Sequence, residues 1–217
     1  MLDLDESQKP PFSQEEIRIL GCLMEKQLTT PKSYPLTMNS LMLACNQKTS
    51  REPVMTMNEG DVGHIARSLI EFGFITIQNS GRAQRVEHRV RSKLGINQKQ
   101  QAILAVLFLR RPQTLNEIKT RTERMADFDG IADVQSILDD WMSGENPMVI
   151  RLPAEGGRRE DRYFHTLGDD DLEALKTEAP ATTSSSGSSG RKADCCAELL
   201  ERIEALEKRL ADLEELI

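Results

Sequence analysis

Side chains that could bind nucleic acid are concentrated in two segments of the chain. Amide and hydroxyl side chains alternate with basic ones from Asn46 to Arg51, and several arginines lie between Arg82 and Arg91. Basic groups neutralise phosphates, and amides can read base edges. The candidate contacts to double-stranded DNA are therefore Gln47, Lys48, Arg51, Arg82, Arg85, Arg89 and Arg91. The alternative is a solvated surface whose arginines pair with nearby acids, as is common for charge runs.

Few residues are arranged for catalysis. His64, His88 and His165 stand alone, without a cysteine or carboxylate at the spacing of a catalytic or metal motif. Cys22 and Cys45 fall on apolar helix faces, where a buried thiol is usual. The chain contains no phosphate-binding glycine pattern, no HExxH and no GxSxG. We expect a protein that is not an enzyme and that has no cofactor and no metal.

An internal repeat predicts the elements that position these residues. The segment 13–27, SQEEIRILGCLMEKQ, aligns with 97–111, NQKQQAILAVLFLRR, and the segment from Asp61 aligns with the one from Asp133. Each copy reads as three helices followed by two strands around a turn. We predict a mainly α protein with small β-wings (α+β), made of two tandem winged-helix domains at residues 13–93 and 96–172.

Local signals place the boundaries of these elements. Ser13 with Glu16, and Asn97 with Gln100, have the spacing of a capping box at the start of a helix. The remaining helices are predicted at Thr37–Asn46, 58–72, Leu115–Met125 and Ile131–Met142. The strands are predicted at Phe74–Ile77, Arg85–Val90, Met148–Leu152 and Arg162–Thr166.

The ends of the chain differ in composition from the repeats. Residues 1–12 read as a disordered tail, and residues 176–193 as a flexible Ser/Gly-rich linker. Residues 194–217 carry apolar side chains at heptad spacing, which predicts a coiled-coil helix and a homodimer. The residues proposed to form its seam are Leu199, Ile203, Leu206, Leu210, Leu213 and Ile217. An amphipathic helix that folds back onto the domains is the alternative, and an antiparallel pairing stays open.

The net charge of the chain bears on two hypotheses about its function. Its net charge is -7, and the third helix of each repeat is acidic, which weakens phosphate binding by those helices. One hypothesis is a DNA-binding transcription regulator that uses the basic wing. The alternative is a protein-interaction scaffold for chromosome maintenance or the transcription machinery. The sequence shows no signal peptide or membrane span, so a cytoplasmic location is expected.

The segment 45–55, CNQKTSREPVM, resembles the YceH family of bacterial proteins, whose members share a CNQKT-x-REPVM signature. The resemblance continues through LRRPQTLNEIKTR and RLPAEGGRREDRYFH and covers about residues 14–167. It implies a tandem winged-helix fold, but no particular activity. Residues 46–55, here called the signature loop, have two readings. They form either a binding site or an ordered connector in which Asn46, Thr49 and Glu52 satisfy backbone groups.

Overall fold

The first repeat begins with a capped helix and ends with a hairpin. In the computed structural model, which describes residues 11–80, 83–154 and 159–177, the Ser13 side chain accepts from the Glu16 backbone and the Glu16 carboxylate accepts from the Ser13 N–H. This is the predicted capping box. The elements are α1 (Gln14–Thr29), β1 (Leu36–Thr37), α2 (Met38–Cys45), α3 (Glu59–Glu71), β2 (Ile75–Ser80) and β3 (Ala83–His88).

The second repeat has the same order. A short helix, α4 (Val90–Leu94), ends at Gly95 in the left-handed conformation and joins the repeats. Asn97 and Gln100 then form the second predicted capping box. The elements that follow are α5 (Gln98–Leu109), β4 (Gln113–Thr114), α6 (Leu115–Thr122), α7 (Ile131–Met142), β5 (Val149–Leu152), β6 (Arg162–His165) and α8 (Leu172–Thr177).

Each repeat contains a small antiparallel sheet of three strands, so the chain is an α+β protein. The strand orders are β1-β3-β2 and β4-β6-β5. In the first sheet Leu36 lies opposite Val86, and in the second Gln113 lies opposite Tyr163. The short strands β1 and β4 were not predicted, because two residues carry no alternation pattern and are fixed only by the hairpin beside them.

The two repeats share one hydrophobic core. Helix α1 packs along α5, and the buried side chains of both helices belong to the same cluster. The crossing is close at Gly21, where an added Cβ would lie 2.9 Å from the Phe108 Cβ. Because α5 is enclosed, all its residues from Gln101 to Leu109 are buried. The equivalent helices of the two copies therefore build the centre of the fold.

Several boundaries differ from the predictions. The first hairpin ends at His88, since Arg89 caps α4, and α6 ends at Thr122, not at Met125. Phe12, predicted to lie in the tail, is buried and contacts the Phe74 ring edge-on at 4.9 Å. Within the described ranges, no helix has the length and apolar character to cross a membrane. The coiled-coil segment 194–217, with its proposed seam, lies outside the described residues.

Candidate nucleic-acid interface

The signature loop is closed at its base by Asn46. Its amide nitrogen donates to the Met57 carbonyl at 2.7 Å, and its amide oxygen accepts from the Met57 N–H at 2.9 Å. An asparagine can make both bonds at once, so this side chain joins the end of α2 to the residue before the cap of α3. The hydrogen bonds support the connector reading of the loop for Asn46.

Arg51 is part of the protein interior and is not a surface contact. It is 4% exposed, and both terminal nitrogens reach the Glu25 carboxylate of α1, at 2.6 and 3.2 Å. Its Nε donates to the Ala44 carbonyl at 3.0 Å. This geometry disfavours the predicted contact of Arg51 with DNA, because a guanidinium committed to a buried bidentate pair has no face left for a phosphate.

Arg18 fixes the other side of the signature loop. It is 1% exposed, and its terminal nitrogens donate to the carbonyls of Cys45 and Pro53. Sequence reasoning missed this residue. The available signal was a basic side chain within the apolar run of α1, between Ile17 and Ile19. A cation in that position needs buried carbonyl or carboxylate partners.

The other predicted residues of the loop remain at the surface. Gln47 is half-buried and Lys48 is exposed. In the hairpin, Arg85 is half-buried and donates to the Pro35 carbonyl at 2.9 Å, which ties the wing to the segment before β1. Arg82 lies outside the described residues.

A group of exposed basic residues remains at the exit of the first hairpin. Arg89 and Arg91 are exposed, as is Lys93, whose ammonium lies 5.8 Å from the centre of the Phe74 ring. Among the residues that the structure describes, neither these three nor Lys48 forms an ion pair. We call these four exposed cations, Arg89, Arg91 and Lys93 at the hairpin exit and Lys48 in the signature loop, the basic group.

Basic side chains of the second repeat are mostly neutralised by acids. Arg162 pairs with Glu117 at 3.2 Å, and Arg151 pairs with Asp161 at 3.5 Å. On α6, Lys119 lies 3.5 Å from the Glu123 carboxylate. The charge that could hold phosphates therefore belongs to the first repeat.

The third helices present few positive charges. On α3, Arg67 and His64 are exposed, but so are Glu59, Asp61 and Glu71. On α7 the exposed charges are Asp139 and Asp140, and the helix has no basic residue. Phosphates would be repelled by α7 and at best tolerated by α3.

His88, His165, Cys22 and Cys45 are enclosed in the protein. Burial, with Arg91 adding to it, lowers the pKa of His88 to about 4, and burial lowers that of His165 to about 3. The thiols of Cys22 and Cys45 are buried, and hydrogen bonding to Cys22 together with burial raises the pKa of Cys45. In the part of the chain that the structure describes, no cluster of three or more His, Cys, Asp or Glu residues could hold a metal.

Comparison with known proteins assigns the chain to a family. The family model "Protein of unknown function, DUF480" matches residues 12–158. A UPF0502 protein of Pseudomonas fluorescens is 44% identical over 210 residues, which cover 96% of each chain. A UPF0502 protein of Pseudomonas putida is 46% identical over 197 residues, or 90% of this chain and 88% of the relative. One of Xanthomonas campestris pv. campestris is 42% identical over 207 residues, or 95% and 90% of the two chains. These matches confirm the family resemblance seen in the signature loop, and the chain belongs to the DUF480 family of bacterial proteins.

Proposed function

We propose that this protein is a non-enzymatic, double-stranded DNA-binding protein built from two winged-helix domains. The observation that carries the proposal is the basic group, whose four side chains are exposed and have no carboxylate partner among the described residues. Exposed cations without internal partners are available to neutralise phosphates, and such contacts provide most of the affinity of a protein for DNA.

The order of elements supports the winged-helix part of the proposal. In each repeat a helix is followed by a two-residue strand, two helices and a hairpin. The two-residue strand pairs with the last strand of the hairpin, so the sheet order is first, third, second. The hairpin of each repeat packs beside its third helix, as is expected of a helix-turn-helix domain with a wing.

The charges favour binding through the hairpin exit and α4 over deep insertion of α3. Arg89 caps α4, and Arg91 lies in its first turn, so a rigid helix presents both side chains. The acidic residues of α3 oppose its entry into a groove. Gln47 of the signature loop is the candidate for a contact with a base edge. Arg85, which is tied to Pro35, has a supporting role in this arrangement.

The proposal includes a homodimer formed by the coiled-coil segment 194–217. Two weak DNA contacts on one dimer raise the apparent affinity through effective concentration. Truncation after Ala193 is expected to convert a dimer to a monomer in light scattering. An unchanged mass would show that the segment is not the interface.

The experiment that tests DNA binding is titration of a mixed-sequence duplex with the full-length protein at several salt concentrations. The affinity is expected to fall steeply with salt, because each neutralised phosphate releases condensed counterions. In the double variant Arg89→Gln/Arg91→Gln, the slope of log affinity against log salt is expected to decrease by about 2.

A matched control variant distinguishes loss of the hairpin-exit arginines from loss of net positive charge. The variant Arg124→Gln/Arg151→Gln loses the same charge from exposed positions of the second repeat, and the salt slope is expected to stay unchanged. Equal weakening by both variants would contradict the assigned surface. Absence of DNA retention at low salt would contradict the function itself.

One observation favours a protein-interaction scaffold as the second candidate. Leu43 on α2 is 59% exposed, and Val54 in the signature loop is 57% exposed. Exposed apolar side chains contribute to partner contacts where they form one patch. For this candidate, a partner captured from a bacterial lysate is expected to be lost in Leu43→Ser/Val54→Ser and retained in Arg89→Gln/Arg91→Gln.

A further inference from the structure

A cavity of about 220 Å³ lies where the two repeats and the C-terminal part of the described chain meet. Its wall is formed by α1, the signature loop, the end of α5 and the segment after it, the strand β6, and α8 with the residues before it. The Glu52 N–H donates to the Leu109 carbonyl at 2.9 Å, which joins two of these segments beside the cavity. The basic and aromatic or apolar side chains of the wall include Arg18, Arg110, Phe108, Phe164, His165 and Leu175.

Two arginines of the wall have buried nitrogens without a partner. Arg18 uses its terminal nitrogens for backbone carbonyls, but its Nε donates to no group in the protein. Nη1 of Arg110 is likewise buried and unpartnered. Burial and the neighbouring charge of Arg121 lower the pKa of Arg110 to about 10, so the guanidinium is charged at neutral pH without full compensation. Buried cations of this kind are stabilised by an anion.

His165 adds a neutral polar group to the same wall. It is 2% exposed, its Nδ1 has no partner, and burial keeps the imidazole uncharged. Its ring stacks on Phe164 at 4.3 Å and contacts Phe108 edge-on at 4.9 Å. The cavity therefore combines an aromatic surface with unpaired polar nitrogens, which is typical of a small-molecule site.

The acids of the wall limit the charge of a ligand. Asp170, Asp171 and Glu52 also line the cavity, and the Asp170 carboxylate accepts from the Gln14 amide at 3.3 Å. These carboxylates would repel a multiply charged phosphate, whereas one carboxylate can pair with an arginine fork. The cavity is below the range of about 300–1,000 Å³ that drug-sized ligands need, so a ligand of about ten non-hydrogen atoms fits.

We propose that this cavity binds a small monocarboxylate with an aromatic or branched apolar body. The carboxylate pairs with Arg110, and Arg18 adds a second positive charge to the same wall. The apolar body packs against Phe108, Phe164 and Leu175. This site is separate from the basic group, so its test does not depend on DNA binding.

The test is calorimetric titration of the full-length protein with phenylacetate and with phenylacetamide, which have the same shape and differ in charge. Phenylacetate is expected to bind with a dissociation constant of about 1 mM or lower, as ten non-hydrogen atoms support. The amide is expected to bind at least about tenfold more weakly, because it cannot form the ion pair. Equal affinities, or no saturable binding of phenylacetate up to about ten times that concentration, would overturn the proposal.

Variants then locate the site. Arg110→Gln is expected to weaken phenylacetate binding about tenfold or more, whereas Arg124→Gln, an exposed arginine of the same repeat, is expected to leave it unchanged. Arg18 is avoided because it also holds the signature loop. If Arg110→Gln fails to fold, Ala174→Trp blocks the cavity from an exposed position of α8 without removing a charge. If phenylacetate binding is unchanged in folded Arg110→Gln or Ala174→Trp, the ligand does not bind in this cavity and the proposed site is rejected.

Discussion

Burial determines what each basic residue of the signature loop does. Lys48 and Arg51 are three positions apart, yet Lys48 is exposed and Arg51 is 4% exposed. From the sequence, both residues are predicted to be exposed and to contact DNA. The sequence does not reveal the difference, because Glu25, the partner of Arg51, lies on α1. An ion pair between residues 26 positions apart has no local signal. The presence of Arg51 in the signature loop is thus explained by its attachment of the loop to α1.

We predict that Arg51→Met lowers the free energy of unfolding by about 3–5 kcal/mol, because it leaves the Ala44 carbonyl without its donor and the Glu25 carboxylate with only the longer ion pair to Lys26, at 3.7 Å. Urea unfolding measures the change. Lys48→Met serves as the control and should change stability by less than about 0.5 kcal/mol. The double variant Glu25→Leu/Arg51→Met should recover part of the loss, since no uncompensated charge remains. A neutral Arg51→Met would show that the pair does not hold the loop.

His88 makes the stability depend on pH. The pKa of His88 is lowered to about 4 in the folded protein, against about 6.5 in the unfolded chain. Between these values the unfolded state binds the proton and the folded state does not, so stability is complete above pH 6.5 and is lost as the pH falls toward 4. The loss is about 1.4 kcal/mol per pH unit, or about 3 kcal/mol in all.

His88→Gln is expected to remove this part of the slope, while the contribution of buried His165 remains. Urea unfolding at pH 7, 6 and 5 measures it. His64→Gln is the control, since His64 is exposed on α3. A slope in His88→Gln equal to that of the unmodified protein would mean that His88 titrates normally.

Helix boundaries that depend on local side-chain chemistry could be predicted from the sequence. Helix α7 begins and ends where predicted, and the capping boxes at Ser13 and Asn97 are confirmed. The elements it missed, β1, β4, α4 and α8, are two to six residues long, and the two strands and α8 depend on packing against the hairpins. The candidate interface could be predicted only in part, because the exposure of its basic side chains also depends on tertiary packing.

Gly21 shows how a single position sets the distance between α1 and α5. Its repeat equivalent is Ala105, so both copies carry a small residue at the crossing. In an isolated helix Gly→Ala stabilises by about 1 kcal/mol. In Gly21→Ala the new methyl group would meet the Phe108 Cβ and the Leu109 Cδ2, each at 2.9 Å.

We therefore expect Gly21→Ala to lower stability by about 1–3 kcal/mol in spite of its helix propensity. Gly63→Ala on α3 is the matched control, because the added Cβ would have only the end of Arg67 nearby, at 3.8 Å. That variant should gain about 0.5–1 kcal/mol. Thermal unfolding of both proteins measures the difference, and a gain in both would mean that the helices can separate without cost.

At the scale of the molecule, the sequence repeat suggests two domains, but the core is shared. Helix α1 buries its apolar side chains against α5, so neither repeat can keep its first helix enclosed without the other. Units that share a core are expected to unfold together. The same packing forms the walls of the cavity proposed as a carboxylate site.

The chain contains a single tryptophan, Trp141, which is buried in the second repeat and reports on that repeat alone. Arg51 and its partners, Glu25 and Ala44, belong to the first repeat. If the repeats unfold as one unit, the urea midpoint of Trp141 fluorescence should fall by about 1–2 M in this variant, the same shift as that seen by circular dichroism. If the repeats unfold independently, the fluorescence midpoint should stay at its original value while the circular dichroism curve splits in two. Coincident curves would establish that a defect in the signature loop is transmitted through α1 and α5 to the other repeat.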